Sequence, residues 1–416
     1  MPIASRLAAL PQPVRLCAIT AAVVIALSGC TTKPITTVDI TPAADTGTAP
    51  GAGHPLTENK PGFYTMSNIP ADHTPVRVGI ILPFSSGTPA VRALAASMLK
   101  AAQLAVYESG NKDIVLMTAD EGATPESAAG AAVRLLDQGA EILVGPLYAP
   151  SVRAIRHEAQ DRGVLVLSFS TDRSVAGDGV YLMGFLPQND TNRVVSYALA
   201  QGHHKFAALV PSTSFGDVTL DAFKGAVTDG KGEIGEVQHF SATVDAVTGP
   251  AGKIAKTDAD AVFMPLGGTV LRAAAPALSG AGLDPTKVKL LGTGQWNETA
   301  NIGEPTLNGA WFAGPDPKDE IAFNAKYRDA FGGTPPQLAA LSYDAVSLVA
   351  ALAKGDPYKR FTRAALADPN GFTGADGIFR FGNDGTAERG LAVLSVTPDG
   401  FHVVDPAPTT FVKPGS

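Results

Sequence analysis

From position 76 onward the chain alternates short apolar runs with helical segments, and near position 206 the alternation starts again. No other feature limits the possible folds as much. Apolar runs of four or five residues that stop at Pro, Gly or Ser suit strands buried on both faces, and helices between them require parallel pairing. In the first half, run 78–82 leads into Pro83-Phe84-Ser85-Ser86, and a helix is predicted over 89–107. Run 114–117 follows, then a helix over 125–138 with Thr124 placed as its N-cap. Run 141–144 ends in Gly145-Pro146-Leu147-Tyr148, a helix over 151–161 follows, and run 164–167 ends in Ser168-Phe169-Ser170-Thr171-Asp172. The second half repeats the scheme. Run 206–210 meets Pro211-Ser212-Thr213-Ser214-Phe215-Gly216, run 261–264 meets Pro265-Leu266-Gly267-Gly268, and run 288–291 meets Gly292-Thr293-Gly294-Gln295. Two similar α/β lobes account for this better than one long sheet.

Composition narrows the function. The 416 residues carry 32 Lys and Arg against 39 Asp and Glu, a formal charge of −7, with no basic stripe. Nucleic-acid binding needs cations to replace phosphate counterions, so it is disfavoured. Two cysteines cannot build a disulfide scaffold or a four-thiolate zinc site, and the scattered histidines suggest no metal. No nucleophile elbow, His-Glu-x-x-His or Cys-x-x-Cys motif occurs. Gly225 through Gly230-Lys231 imitates a phosphate loop, but Gly232 stands where a metal-binding hydroxyl is needed. Asp319-Glu320 sits at a helix start, where the dipole favours acids. No catalytic residue and no cofactor is assigned; the chain reads as a non-enzyme.

The N-terminus reads as an address. Arg6 and Arg15 precede an uncharged apolar run over 16–27, shorter than the roughly 20 residues of a spanning helix and suited to a signal-peptide core. The run ends in Leu27-Ser28-Gly29-Cys30, which resembles a bacterial lipobox. That resemblance implies removal of residues 1–29 and lipidation of Cys30. Thr31 stands in place of the aspartate that retains many enterobacterial lipoproteins in the inner membrane, which implies an outer-membrane anchor facing the periplasm. Residues 30–75 are rich in Thr, Pro, Ala and Gly with little apolar periodicity, and are expected to be a flexible tether.

The folded body, expected over 76–412, resembles the type I periplasmic binding proteins, the group of leucine/isoleucine/valine-binding protein. The residues that carry this are Val144-Gly145-Pro146-Leu147, Leu341-Ser342-Tyr343-Asp344-Ala345-Val346, Gly371-Phe372-Thr373-Gly374 and Phe379-Arg380-Phe381. The resemblance implies two doubly wound parallel-sheet lobes joined by three crossovers, placed near Pro187, Gly314 and Phe372. Lobe one is then about 76–187 with 315–371, and lobe two about 188–314 with 372–412. Within the family, Phe169-Ser170-Thr171-Asp172, Val180-Tyr181-Leu182-Met183-Gly184-Phe185 and Val210-Pro211 through Phe215-Gly216-Asp217 look most like alphaproteobacterial penicillin-binding-protein activator lipoproteins. The helical-repeat domain of the enterobacterial activator has no counterpart here.

Ligands of open α/β sheets sit beyond the C-terminal ends of the strands, where helix N-termini offer N–H groups. That rule nominates Ser85, Ser86, Tyr148, Ser151, Ser170, Thr171, Asp172, Phe215, Gln295 and Trp296 as ligand-binding residues. The hydroxyls suit a carboxylate or amide, and the aromatics suit an apolar or ring-shaped group. Helix capping and packing are the competing roles. The amino-acid binders of the family hold the ligand carboxylate with a serine where this chain has Ala149. They hold the ammonium with an acid in the loop corresponding to 292–295, where this chain has none. Two readings follow. One is a lipid-anchored regulator that docks on a penicillin-binding protein in peptidoglycan synthesis. The other is the solute-binding component of an ABC importer, delivering a branched-chain amino acid, an amide or a similar small molecule to its permease.

Overall fold

The repeated runs form strands that sort into two separate sheets, seen in a computed structural model that describes residues 63–65, 69, 73–85 and 87–412. The expected leader, Cys30, nearly all of the expected tether and Ser86 lie outside the described residues. The first sheet has the order β1-β3-β2-β4-β5-β6, formed by β1 (Phe63–Tyr64), β2 (Val76–Leu82), β3 (Ile114–Asp120), β4 (Ile142–Val144), β5 (Leu165–Ser168) and β6 (Val180–Leu182). Only β1 runs antiparallel. Helices α1 (Pro89–Ser109), α2 (Pro125–Asp137) and α3 (Ala149–Asp161) connect its strands. Local chemistry sets their ends. Thr88 accepts from the Val91 N–H at 3.3 Å with Pro89 in the first turn, and Gly110 stops α1 at φ +64°. Thr124 caps α2 as expected, accepting from the Ser127 N–H at 3.3 Å.

The second sheet starts after α4 (Pro187–Ala200). It contains β7 (Lys205–Pro211), β8 (Glu233–Phe240), β9 (Ala261–Phe263), β10 (Lys289–Gly292) and β11 (Trp311–Gly314), all parallel. Helices α5 (Ser214–Asp229), α6 (Thr248–Ile254) and α7 (Gly268–Gly280) cover it. The chain then returns to the first sheet through α8 (Pro317–Phe331), α9 (Ala339–Leu352) and α10 (Arg363–Leu366). Helix α9 is apolar nearly all round and lies with α1 in the core over one face of the first sheet, while α2 and α3 cover the other face. The second sheet is clad in the same two-sided way, by α6 and α7 on one face and α4 and α5 on the other.

The third passage falls later than expected. β12 (Phe372–Gly374), β13 (Gly377–Phe381) and β14 (Ala387–Arg389) form a small antiparallel sheet whose Phe379, Phe381 and Ala387 belong to the first core. The chain therefore crosses between Arg389 and Ala392, not near Phe372, because the apolar face of this ribbon is buried against lobe one. β15 (Ala392–Thr397) and β16 (Gly400–Asp405) then extend the second sheet antiparallel beside β11. The other two passages leave the ends of β6 and β11, so the C-terminal edges of both sheets lie at the crossovers.

Candidate functional site

At the first sheet's C-terminal edge, register aligns Leu82 with Asp120 and Ile80 with Val144, so the residues after β2, β3 and β4 emerge side by side. Gly145 is required there: it sits at φ +91°, and a Cβ would fall 2.0 Å from the Ile81 carbonyl oxygen. The turn carries Leu147 and Tyr148 to the start of α3, whose first residues have no side-chain cap from Tyr148. Glu121 supplies the acceptor. Its carboxylate, fully buried, accepts from the Leu147 N–H at 2.9 Å and the Tyr148 N–H at 3.0 Å. Burial raises the Glu121 carboxyl above its ordinary range, while those two bonds and one from Ser151 pull the other way. Asp120 beside it accepts from the N–H groups of Ser85 and Gly122 at 3.1 and 3.0 Å.

The nominated residues divide accordingly. Ser85 and Thr171 are exposed at this edge, and Tyr148 is 39% exposed. Ser151 is buried and its hydroxyl is engaged with Glu121. Ser170 is buried, its Oγ accepting from the Asp172 N–H at 3.2 Å. Asp172 caps the following turn through the Ser174 N–H and pairs with Arg153 at 2.7 Å. A hydrogen bond from the Ser174 hydroxyl foremost, then the Ser174 N–H and Arg153, hold its carboxyl below the usual range against burial. The sequence reading stopped the second strand at Met117 and passed over Glu121. Its only signal was an acid one residue beyond a strand end.

The second sheet ends in a different chemistry. Phe215 lies half-buried in the first turn of α5, which Thr213 caps by accepting from the Gly216 N–H at 3.2 Å. Gln295 is exposed beside the β9 exit, its Oε1 3.1 Å from where a Gly267 Cβ would be, closer than ordinary contact. Trp296 does not wall a cleft. Its indole is fully buried in the second core, 6.4 Å from the Phe312 ring and pressed against Gly292, where a Cβ would fall 2.1 Å from the ring. Glycine at 292 makes the recess, and the 3₁₀ turn from Gly294 to Trp296 directs the ring into it. Asp190 at the start of α4 accepts from the Gly294 N–H at 2.9 Å, and burial lifts its carboxyl to about 7. A groove of about 800 Å³ runs between α4 and α5 with Arg173 at its end, and contains none of the nominated residues. Gly225, from the imitation phosphate loop, lies within α5.

Among the described residues no group of three or more His, Cys, Asp or Glu is placed to hold a metal, and no helix is long and apolar enough to cross a membrane. A curated relative, an uncharacterised protein of Rickettsia prowazekii, is 19% identical over 137 residues, a match covering 33% of this chain and 36% of that protein's length. Three solved structures share the fold. A putative branched-chain amino acid ABC transporter protein from Rhodospirillum rubrum has a TM-score of 0.70 at 18% identity, covering 79% of this chain and 100% of that one. A solute-binding protein from Rhodopseudomonas palustris, in complex with 3,4-dihydroxybenzoic acid, scores 0.59 at 20% identity, covering 82% and 98%. A branched-chain amino acid transporter substrate-binding protein from Streptococcus pneumoniae, in complex with isoleucine, scores 0.57 at 22%, covering 80% and 100%. A family profile described as periplasmic binding protein matches residues 75–400. The two-sheet architecture and that match agree: the chain belongs to the type I, leucine-binding-protein-like family of periplasmic binding proteins.

Proposed function

We propose that this protein is a non-catalytic, lipid-anchored envelope protein whose binding-protein domain docks on a penicillin-binding protein and regulates peptidoglycan synthesis. The observation that carries this reading is Glu121. The N–H groups at the start of α3 are where the helix dipole would best receive a ligand carboxylate, and an internal carboxylate holds them. An incoming carboxylate would have to displace Glu121 or sit beside it, two like charges in a desolvated place. The ligands named with the solved relatives above, isoleucine and 3,4-dihydroxybenzoic acid, are both carboxylic acids. A domain that has closed that seat is better suited to docking than to importing such compounds. Thr31 after the lipobox-like Cys30 adds an anchor on the membrane away from any permease.

The solute-receptor reading is favoured by one finding, that the solved relatives are ABC transporter binding proteins. Exposed Ser85, Tyr148, Thr171 and Gln295 with half-buried Phe215 would then line the ligand. Crosslinking of the tagged protein in its own cells separates the two. The regulator reading expects a peptidoglycan synthase among the partners; a permease without a synthase rejects it, as does micromolar calorimetric binding of leucine. Cys30→Ala is expected to release the protein from membrane fractions, and unchanged membrane association rejects the anchor.

A further inference from the structure

The passages between the sheets converge on a buried ionic cluster that the strand edges do not use. The first passage, 183–186, and the third, 390–391, run along one seam. Leu182 donates its N–H to the Gly385 carbonyl at 2.8 Å, the Asn189 amide donates to the Ala387 carbonyl at 2.7 Å, and Arg193 Nε donates to the Leu391 carbonyl at 2.8 Å. Arg389 closes the seam from within. Its side chain is fully buried, Nη2 donates to the Met183 carbonyl at 2.8 Å, and Nη1 lies 3.3 Å from Asp344 Oδ2. The guanidinium also sits over the Phe185 and Phe379 rings, 4.8 and 5.3 Å from their centroids. Asp344, on α9 and equally buried, accepts from the Ala375 N–H at 2.5 Å.

The next residue unbalances the cluster. Asp376 is 1% exposed, and its Oδ2 has no hydrogen-bond partner; Arg389 Nε and Ser342 Oγ have none either. Asp344 and Asp376 therefore both act on one guanidinium in a buried interior, where a second unpaired charge is costly. Asp319 and Glu320, at the start of α8 just past the second passage, bring further negative charge toward Asp376. Lys318 in the same turn is held by Asp316 at 2.8 Å, and Lys326 by Glu108 at 2.9 Å. Asp190, from the start of α4, draws on the same Arg389. Burial first, and then the Asp344 charge, push the Asp376 carboxyl up to about 8.

We propose that this seam is a proton-dependent hinge: neutral Asp376 leaves Arg389 balanced by Asp344 and pinning the first and third passages together, and ionised Asp376 draws in water and releases them. The folded chain keeps a proton that the unfolded chain gives up from about pH 4 upward, so this group lowers stability as pH rises until Asp376 itself ionises. The test compares the full-length protein with Asp376→Asn. Hydrogen exchange of peptides covering 183–187 and 389–392, corrected for intrinsic rate, and thermal melting are followed from about pH 6 to about pH 9. The unchanged protein is expected to lose roughly tenfold in protection at both peptides across that range, and the variant to lose much less, keeping only the part that Asp190 contributes. The variant should also melt above the unchanged protein by a margin that widens with pH. Identical exchange profiles reject the hinge, as does a melting difference without any exchange difference at the two peptides. Arg389→Lys, which keeps the charge but loses the fork, should loosen both peptides at every pH; unaltered protection there rejects the role of Arg389.

Discussion

At the end of β4 the free N–H groups are closed by Glu121, an acid one residue beyond β3 and two strands away in the same sheet, while after β10 the Gly294 N–H is closed by Asp190, which arrives on the helix entering from the crossover. The first edge is thus complete within its own lobe and bears acids, with Asp120 and Glu121 together and Asp172 answered by Arg153. The second edge depends on α4 and offers Phe215 and Gln295 beside an exposed Asp217 in the first turn of α5, its tryptophan having been taken into the core. The same strand–turn–helix unit, used twice, has its free N–H groups closed by an acid of its own sheet on one side and by an acid from the crossover helix on the other.

The contrast can be broken most severely at Trp296. Trp296→Ala should cost about 3–5 kcal/mol in chemical denaturation, because it empties a recess beside Gly292 in the second core. A ring that merely faced a ligand would leave stability nearly unchanged. Glu121→Ala comes next. It strands the Leu147 and Tyr148 N–H groups, at roughly 1–3 kcal/mol, and vacates the seat, so the variant should acquire calorimetrically detectable binding of acetate or leucine. Since burial raises the Glu121 carboxyl, its contribution to stability is greatest in acid and declines as pH climbs through that raised range. Glu121→Gln should remove this slope from a series of melting curves. On the second edge, Thr213→Ala is expected to cost about 1 kcal/mol through the lost cap on Gly216. The smallest effect belongs to Asp172→Asn, whose Arg153 partner is half exposed; about 0–1 kcal/mol is expected from paired melting curves.

The strand–helix order was readable because a doubly covered sheet leaves a plain trace: an apolar run, a small or proline exit, then a helical stretch. Gly145-Pro146 and Pro211-Ser212 marked their edges for that reason. Side-chain direction leaves no such trace. Trp296 beside an exit looked like a cleft aromatic, and only Gly292 four residues earlier hinted that the ring folds back. Glu121 escaped notice since an acid after a strand usually reads as a solvated turn; its role depends on α3 arriving from elsewhere in the chain. The ribbon from Phe372 to Arg389 was assigned to the wrong lobe because its alternation specifies a buried face but not which core receives it.

Helix α9 lies against α1 in the first core, yet it is made only after the whole parallel part of the second sheet. A nascent chain that has just released β11 therefore carries β2 through β6 with one flank covered by α1 alone. Such a half-clad sheet is a natural substrate for chaperones and a liability in crowded surroundings until residues 339–389 appear. The order of synthesis lets the later-encoded lobe advance toward completion while the earlier-encoded one waits, so a premature stop between 315 and 389 would cripple the half of the molecule encoded first.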